Sequence, residues 1–191
     1  DILYFADSFG DMNQKKVTSL SLLIKKNFNG YVGFHAHNNK GLALVNSLTA
    51  MNNGVTYIDS TVMGMGRGAG NTQTENLILE LNSLKQNVKR SINDILPLLL
   101  KDFDQLKRKY NWGTNIYYYL AAEYSIHPTY IQFMLDDKKY QPEGIMNTIN
   151  FLRYKNSTAY KDENMIKADS GVKGKLNGNW SASGFSRNKN I

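Results

Sequence analysis

Apolar and polar positions alternate in two regimes along this chain. In the first half, short apolar runs are separated by amphipathic stretches with a three- and four-residue spacing, the pattern of strands alternating with helices. Ile2 to Ala6 reads as a strand closed by the polar and turn residues Asp7-Ser8-Phe9-Gly10. Asn13 to Phe28 reads as a helix with Val17, Leu20, Ile24 and Phe28 on one face, and Asn29-Gly30 stops it. Tyr31 to His35 is the second strand, after which Asn38 or Asn39 is placed to cap a helix whose apolar stripe is Leu42, Val45, Leu48 and Met51. Val55 to Ser60 is the third strand. Strand starts at residues 2, 31 and 55 give a unit of 24 to 29 residues, a strand-helix repeat of the parallel α/β kind. Thr72-Gln73-Thr74-Glu75 fits a capping box opening a further helix with Leu77, Ile78, Leu81 and Leu84 inward.

From residue 92 the pattern is helical. Asp94 is placed to cap a helix that carries Pro97 in its first turn and runs to about Lys109, and any fourth strand before it, around Asn87 to Lys89, is poorly marked. Tyr110-Asn111-Trp112-Gly113 reads as a break. Helices are expected at Asn115 to Glu123, Pro128 to Leu135 and Pro142 to Arg153, two of them with Pro in the first position. The expected organisation is residues 1–109 as an α/β unit, 110–169 as a helical region and 170–191 as a flexible basic tail. Tyr117-Tyr118-Tyr119 reads as packing rather than a stacking platform.

Chemistry concentrates between residues 33 and 71. The chain has three histidines, and His35 and His37 stand one residue apart where the second strand ends. Alternate side chains of a strand share a face, so both imidazoles converge as two ligands of one metal ion should. His127, beside Pro128, has the ordinary reading of a structural histidine. Gly64, Gly66, Gly68 and Gly70 alternate in a loop that ends at Asn71. Such a loop can take positive φ and approach a ligand closely, and with a helix opening after it the backbone N–H groups can meet an anion. No Lys-Ser/Thr follows, so this is not a phosphate loop. It also follows a late strand and lacks an acidic partner about 20 residues on, so it is not a dinucleotide fingerprint.

Composition narrows the function classes. The chain has 191 residues, 41% of them apolar, which is enough for a core, and no apolar run of membrane-spanning length. It has no cysteine, which excludes disulfides and thiolate metal sites. An intracellular, cytoplasmic protein is the expectation. Of the net charge of +7, four charges come from Lys173, Lys175, Arg187 and Lys189 in an acid-free tail, so a nucleic-acid partner is not expected.

Taken in order, Ala6-Asp7-Ser8-Phe9-Gly10, Gly33-Phe34-His35-Ala36-His37-Asn38-Asn39 with Gly41 and Asn46, Asp59-Ser60, and Gly64-Met65-Gly66-Arg67-Gly68-Ala69-Gly70-Asn71 resemble the metal-dependent pyruvate aldolase/Claisen synthase (HMG-CoA lyase-like) superfamily, and within it the 4-hydroxy-2-oxovalerate aldolases. The resemblance covers residues 1 to roughly 85 well and is loose through the helices. It implies the C-terminal portion of a TIM (β/α)8 barrel, about strands 5 to 8, with the site at the C-terminal strand ends. It further implies that His35 and His37 bind a divalent cation, Mn²⁺ or Mg²⁺, with Asn71 as a weaker or outer ligand. Ser8 would contact the substrate; Asp7, Asn38, Gly66, Gly68 and Gly70 would shape the substrate and loop region; Trp112, or Tyr110, would stand where a family aromatic gates the site, although packing is the commoner role. The implied reaction is aldol cleavage of a 4-hydroxy-2-oxo acid to pyruvate and an aldehyde.

In the family the third metal ligand is an Asp at the end of the first strand, beside an Arg, with a His general base shortly after. Neither Asp1 nor Asp7 matches that motif. The expectation is therefore a C-terminal part of a longer polypeptide, inactive alone. Three clear strands where a barrel needs eight and about 250 residues predict a partner in the missing N-terminal half-barrel or in a second copy. An acylating aldehyde dehydrogenase is a further partner the resemblance implies weakly. The alternatives are a Claisen-type acyl-CoA synthase, against which the loop sequence argues, and a catalytically degenerate assembly module.

Overall fold

The computed structural model describes residues 1–84, 91–155 and 157–175. Three parallel strands form one sheet in chain order: β1 (Ile2–Asp7), β2 (Tyr31–Ala36) and β3 (Tyr57–Ile58). Ile2 pairs with Tyr31 and Asp7 with Ala36, so β1 and β2 end level, and the short β3 pairs with Gly33 and Phe34. The third strand expected over Val55 to Ser60 thus shrinks to two residues, with Thr56 N–H and Asp59 N–H still donating to the carbonyls of Val32 and Phe34.

Between β1 and β2 runs α1 (Gln14–Asn27), whose N-cap Asn13 accepts from Lys16 N–H, and between β2 and β3 runs α2 (Ala43–Asn52). Their contact with the sheet forms a core of Val17, Val32, Phe34, Ala36, Ala43, Ala50 and Val55. Burying a side chain such as Val32 or Phe34 contributes about 1.5–3 kcal/mol.

Helix α2 departs from its predicted face. Val45 is 39% exposed, whereas Ala43, Asn46, Ser47 and Ala50 are buried. Polar residues go inward because they are paired there: Asn46 Nδ2 donates to Met12 O at 2.8 Å and Ser47 Oγ meets Thr72 Oγ1 at 2.8 Å. The cap also differs, since Leu42 is the N-cap residue and Asn38 Oδ1 reaches across to Ala43 N–H at 3.1 Å.

After a 3₁₀ turn at Val62–Gly64 comes α3 (Thr74–Ser83), N-capped by Gln73. The expected capping box does not form, because Thr72 is engaged with Ser47 and Glu75 accepts from Met63 N–H at 2.9 Å. Of the predicted inward residues only Leu77 is buried; Leu84 is 52% exposed. The weak fourth strand at Asn87 to Lys89 lies outside the described residues.

The second half is helical. A capping box on Ser91, with Asp94 as its third helical residue, opens α4 (Ile92–Leu98), and a π-helical turn (Leu99–Phe103) joins it to α5 (Asp104–Tyr110). Asn111 in the left-handed region, φ 52°, makes the break. Then follow α6 (Ile116–Glu123), α7 (Pro128–Asp136), α8 (Pro142–Tyr154) and α9 (Asp162–Lys175), the last continuing into the stretch expected as a tail. A second core of Tyr118, Ile126, Tyr130, Ile131, Met134, Ile149 and Leu152 binds α6, α7 and α8 together. Among the described residues no helix is long and apolar enough to cross a membrane.

Candidate functional site

The level ends of β1 and β2 place Asp7, His35 and His37 at one edge of the sheet. The rings of His35 and His37 lie 4.8 Å apart, nearly perpendicular at 82°. His35 Nδ1 lies 3.0 Å from Asp59 Oδ2, and His37 Nδ1 lies 2.9 Å from the Asp7 carbonyl oxygen. A carboxylate and a carbonyl oxygen only accept, so both imidazoles donate from Nδ1, which leaves Nε2 of each ring as the nitrogen for a ligand. Burial, with the charges of His35 and Arg67, holds His37 below its ordinary value against the opposing bond to Asp7. A neutral imidazole fixed through Nδ1 is the form that ligates metal ions. The pair therefore fits a divalent cation as two donors. Among the described residues no group of three His, Cys, Asp or Glu side chains could hold a metal ion.

Asn71 stands beside the pair. It forms an isolated antiparallel bridge with His37, and its Nδ2 donates to Met65 O at 3.2 Å, which leaves Oδ1 as an acceptor facing no donor among the described residues. Gly66 makes this possible: a Cβ there would lie 2.6 Å from Asn71 Nδ2. Gly70, at φ +75°, brings its missing Cβ within 2.2 Å of Gly64 O, and Asn71 N–H donates to that same oxygen at 3.1 Å.

The helical region holds the loop. Trp112 is buried and its Nε1 donates to Met63 O at 3.0 Å; Gly113 N–H donates to Gly68 O at 3.0 Å; Ala69 sits in the helical core with Tyr118. Burial pushes the Tyr118 hydroxyl up to about 12. Thr114 Oγ1 donates to Asn39 O at 2.8 Å. Trp112 is thus placed as a brace beneath the loop, and Tyr110 is 64% exposed.

A small cleft opens beside His37, lined by Ser8, Asn39, Arg67, Gly68 and Gln132. Asp7 and Asn38, expected near substrate, do not line it. The Asp7 carboxylate is buried and accepts from Asp11 and Met12 N–H, and burial raises it to about 6; the Asn38 side chain is spent on α2. Asn39, Asp59, Arg67 and Gln132 are residues that sequence reasoning did not single out for the site. Asp59 ends the run beside the strand of His35, a signal that could have marked it. Gln132 gave none.

A parallel α/β unit with an imidazole pair at its strand ends, under a glycine-rich loop, belongs to the class of barrel-type proteins that carry their sites at the C-terminal strand ends. The HMGL-like family model matches residues 1–99, more than half of the chain, and the protein belongs to that family. The 4-hydroxy-2-oxovalerate aldolase of Geobacillus genomosp. 3 is 48% identical over 84 residues, 44% of this chain and 25% of the relative. The enzyme of the same name from Pelotomaculum thermopropionicum is 48% identical over 81 residues, 42% of this chain and 24% of the relative. The chain thus spans about a quarter of the length of these relatives. The N-terminal domain of a Bacteroides vulgatus protein assigned as an aldolase superposes with a TM-score of 0.65 at 36% identity, over 73% of this chain and 46% of that one. The carboxyl transferase domain of Rhizobium etli pyruvate carboxylase superposes over 90% of this chain and 30% of that one, with a TM-score of 0.68 at 11% identity, a likeness of fold alone that runs on through the helices.

Proposed function

We propose that this chain supplies one side of a divalent-metal-dependent active site that cleaves a 4-hydroxy-2-oxo acid to pyruvate and an aldehyde. The observation that carries the reading is the pair of Nδ1 anchors, His35 to Asp59 and His37 to the Asp7 carbonyl, which leaves both Nε2 atoms for a metal ion. Relatives at 42–48% identity over this segment, named as 4-hydroxy-2-oxovalerate aldolases, supply the reaction class.

His35 and His37 would hold the ion, Mn²⁺ or Mg²⁺, with Asn71 Oδ1 adjacent. A cation held there supplies Lewis-acid stabilisation of charge developing on the 2-oxo group. In the cleavage the C3–C4 bond breaks, the C4 hydroxyl loses its proton as that carbon becomes the aldehyde, and the electron pair stays with the pyruvate half, which takes up a proton at C3. This chain's residues orient the substrate: Ser8 and Asn39 stand in the cleft, and the loop braced by Trp112 closes one side. β1, β2 and β3 would be the fifth, sixth and seventh strands of the barrel. The remaining carboxylate ligand and the general base would come from protein outside the described residues, either a preceding barrel half or another chain.

A second reading, a catalytically degenerate assembly module, draws on the two-donor count. Pyruvate release from 4-hydroxy-2-oxovalerate by the full-length gene product decides between them. Release that needs added Mn²⁺ or Mg²⁺ and is lost in His35→Ala supports the aldolase; no release from the wild type supports the module. Incorporation of acetyl-CoA instead would point to a Claisen-type synthase.

A further inference from the structure

The charge in the cleft beside His37 is of one sign. Arg67 stands on its wall and no Asp or Glu lines it. The Arg67 guanidinium makes no hydrogen bond or ion pair with any described residue, although other cations do find partners: Lys40 meets Glu123 at 2.6 Å and Arg108 meets Asp104 at 2.8 Å. Its charge is felt on three sides, by His127 at the start of α7 after the larger effect of burial, by Tyr118 on α6 after burial and the Asp136 carboxylate, and by His37 after burial, the bond to Asp7 and the charge of His35. A guanidinium among two imidazoles and a phenol, with no counter-charge in the cleft, is in place for an anion that arrives with a ligand.

The neutral groups around it suit the same guest. Ser8 at the end of β1, Asn39 after β2 and Gln132 on α7 each bring a hydroxyl or amide to the cleft. Asn39 is 3% exposed and is held in place by Gly10, whose absent Cβ would lie 2.6 Å from Asn39 Oδ1. The cleft is small and open to solvent, about 260 Å³ with the solvent space at its mouth counted. His37 belongs both to the imidazole pair and to the cleft wall, so a ligand anchored at the pair extends naturally towards Arg67.

We propose that Arg67, with Gln132 of α7 and Ser8 just after β1, forms an anion subsite that selects 4-hydroxy-2-oxo acids whose aldehyde half carries a carboxylate or a phosphate. The inference rests on the aldolase reading and deepens it by naming the substrate class. It also gives the helical region a part in the site, since Gln132 comes from a helix distant in sequence.

The test compares pyruvate release by the full-length protein from three 4-hydroxy-2-oxo acids ending in an alkyl group, a carboxylate and a phosphate. The expected result is a kcat/KM higher by roughly tenfold to a hundredfold for one or both anionic substrates, the range of a charge-assisted hydrogen bond. Arg67→Met should remove that preference, lowering kcat/KM for the anionic substrates far more than for the alkyl one, Arg67→Lys should restore part of it, and Gln132→Leu should lower it. The preferred anion distinguishes carboxylate from phosphate. Equal loss on all three substrates would assign Arg67 to the shared 1-carboxylate and overturn the proposal, as would the absence of any preference in the wild type. If no substrate yields pyruvate, the aldolase reading fails, and the subsite is decided separately by titrating succinate and inorganic phosphate while following the Gly68 amide and Gln132 side-chain NMR signals. Shifts in the wild type that vanish in Arg67→Met uphold the subsite; their absence overturns it.

Discussion

His35 and Asp59 meet across two adjacent parallel strand ends, Nδ1 to Oδ2 at 3.0 Å, and this contact sets which nitrogen of His35 remains free. An outer partner of this kind fixes the tautomer and ring orientation of a ligating histidine, and its loss typically costs ten- to a hundredfold in metal affinity. Asp59→Ala in the full-length protein should therefore weaken Mn²⁺ binding by about tenfold to a hundredfold, read from free Mn²⁺ by electron paramagnetic resonance. Asp59→Asn, whose amide oxygen can still accept, should lose less. Unchanged affinity in the alanine variant would detach the His35–Asp59 contact from metal binding.

Two loop glycines offer a matched pair for separating backbone strain from collision. Gly41 (φ +72°) and Gly70 (φ +75°) share a left-handed conformation, but a Cβ at Gly41 meets nothing within 4 Å, while one at Gly70 would lie 2.2 Å from Gly64 O. Gly41→Ala should cost about 1–2 kcal/mol, the strain of an L-residue in that region. Gly70→Ala should cost more than ~3 kcal/mol, because backbone cannot yield as a side chain does. Urea denaturation of both variants measures the difference, and equal losses would place the Gly64–Gly70 approach outside the stable native loop.

How much of this was legible beforehand follows from which forces act locally. The strand-helix repeat of residues 1–84 shows in the sequence because periodicity registers burial on one element, and β1, α1 and β2 lie within a residue or two of their predicted bounds. The inward face of α2 was misread because Asn46 and Ser47 are buried by partners at Met12 and Thr72, which no helical period announces. Thr72 and Glu75 match a capping box in spelling, but each finds a more distant partner. The imidazole pair was legible from its i, i+2 spacing. Arg67 was visible as a residue of the motif, but its lack of a counter-charge was not, and Gln132 reaches the cleft only through the packing of α7.

His127 gives a pH dependence away from the imidazole pair. Its Nδ1 accepts from Thr129 N–H at 3.3 Å and so caps α7, and burial, followed by the charge of Arg67, holds it below its ordinary value of 6.5. A protonated imidazole cannot accept that bond. With the folded pKa depressed, the unfolded chain binds the proton more readily, so the contribution of His127 is fully present above pH 6.5 and is lost as pH falls below it. His127→Asn keeps a good N-cap acceptor and removes the titration. Its stability should match the wild type at pH 8 and exceed it at about pH 5, measured by denaturant midpoints across that range.

The sheet itself predicts how the isolated chain behaves. β1 has β2 on one side and no strand on the other among the described residues, and its Ile2, Leu3 and Tyr4 are 47%, 40% and 45% exposed. On the helix layer Leu22 and Leu23 of α1 and Val45 of α2 are exposed too. A parallel sheet is normally covered on both faces, and a bare apolar edge strand is a template for pairing. Residues 1–191 expressed alone should therefore self-associate or fall out of solution. Placing Lys at Leu3, as Leu3→Lys, should reduce that association by setting a charge on the open edge. Sedimentation velocity over a range of concentrations reads the outcome directly. A stable monomer of 21.7 kDa that unfolds cooperatively would show that the edge needs no cover, and would remove the reason for a second barrel half beside β1.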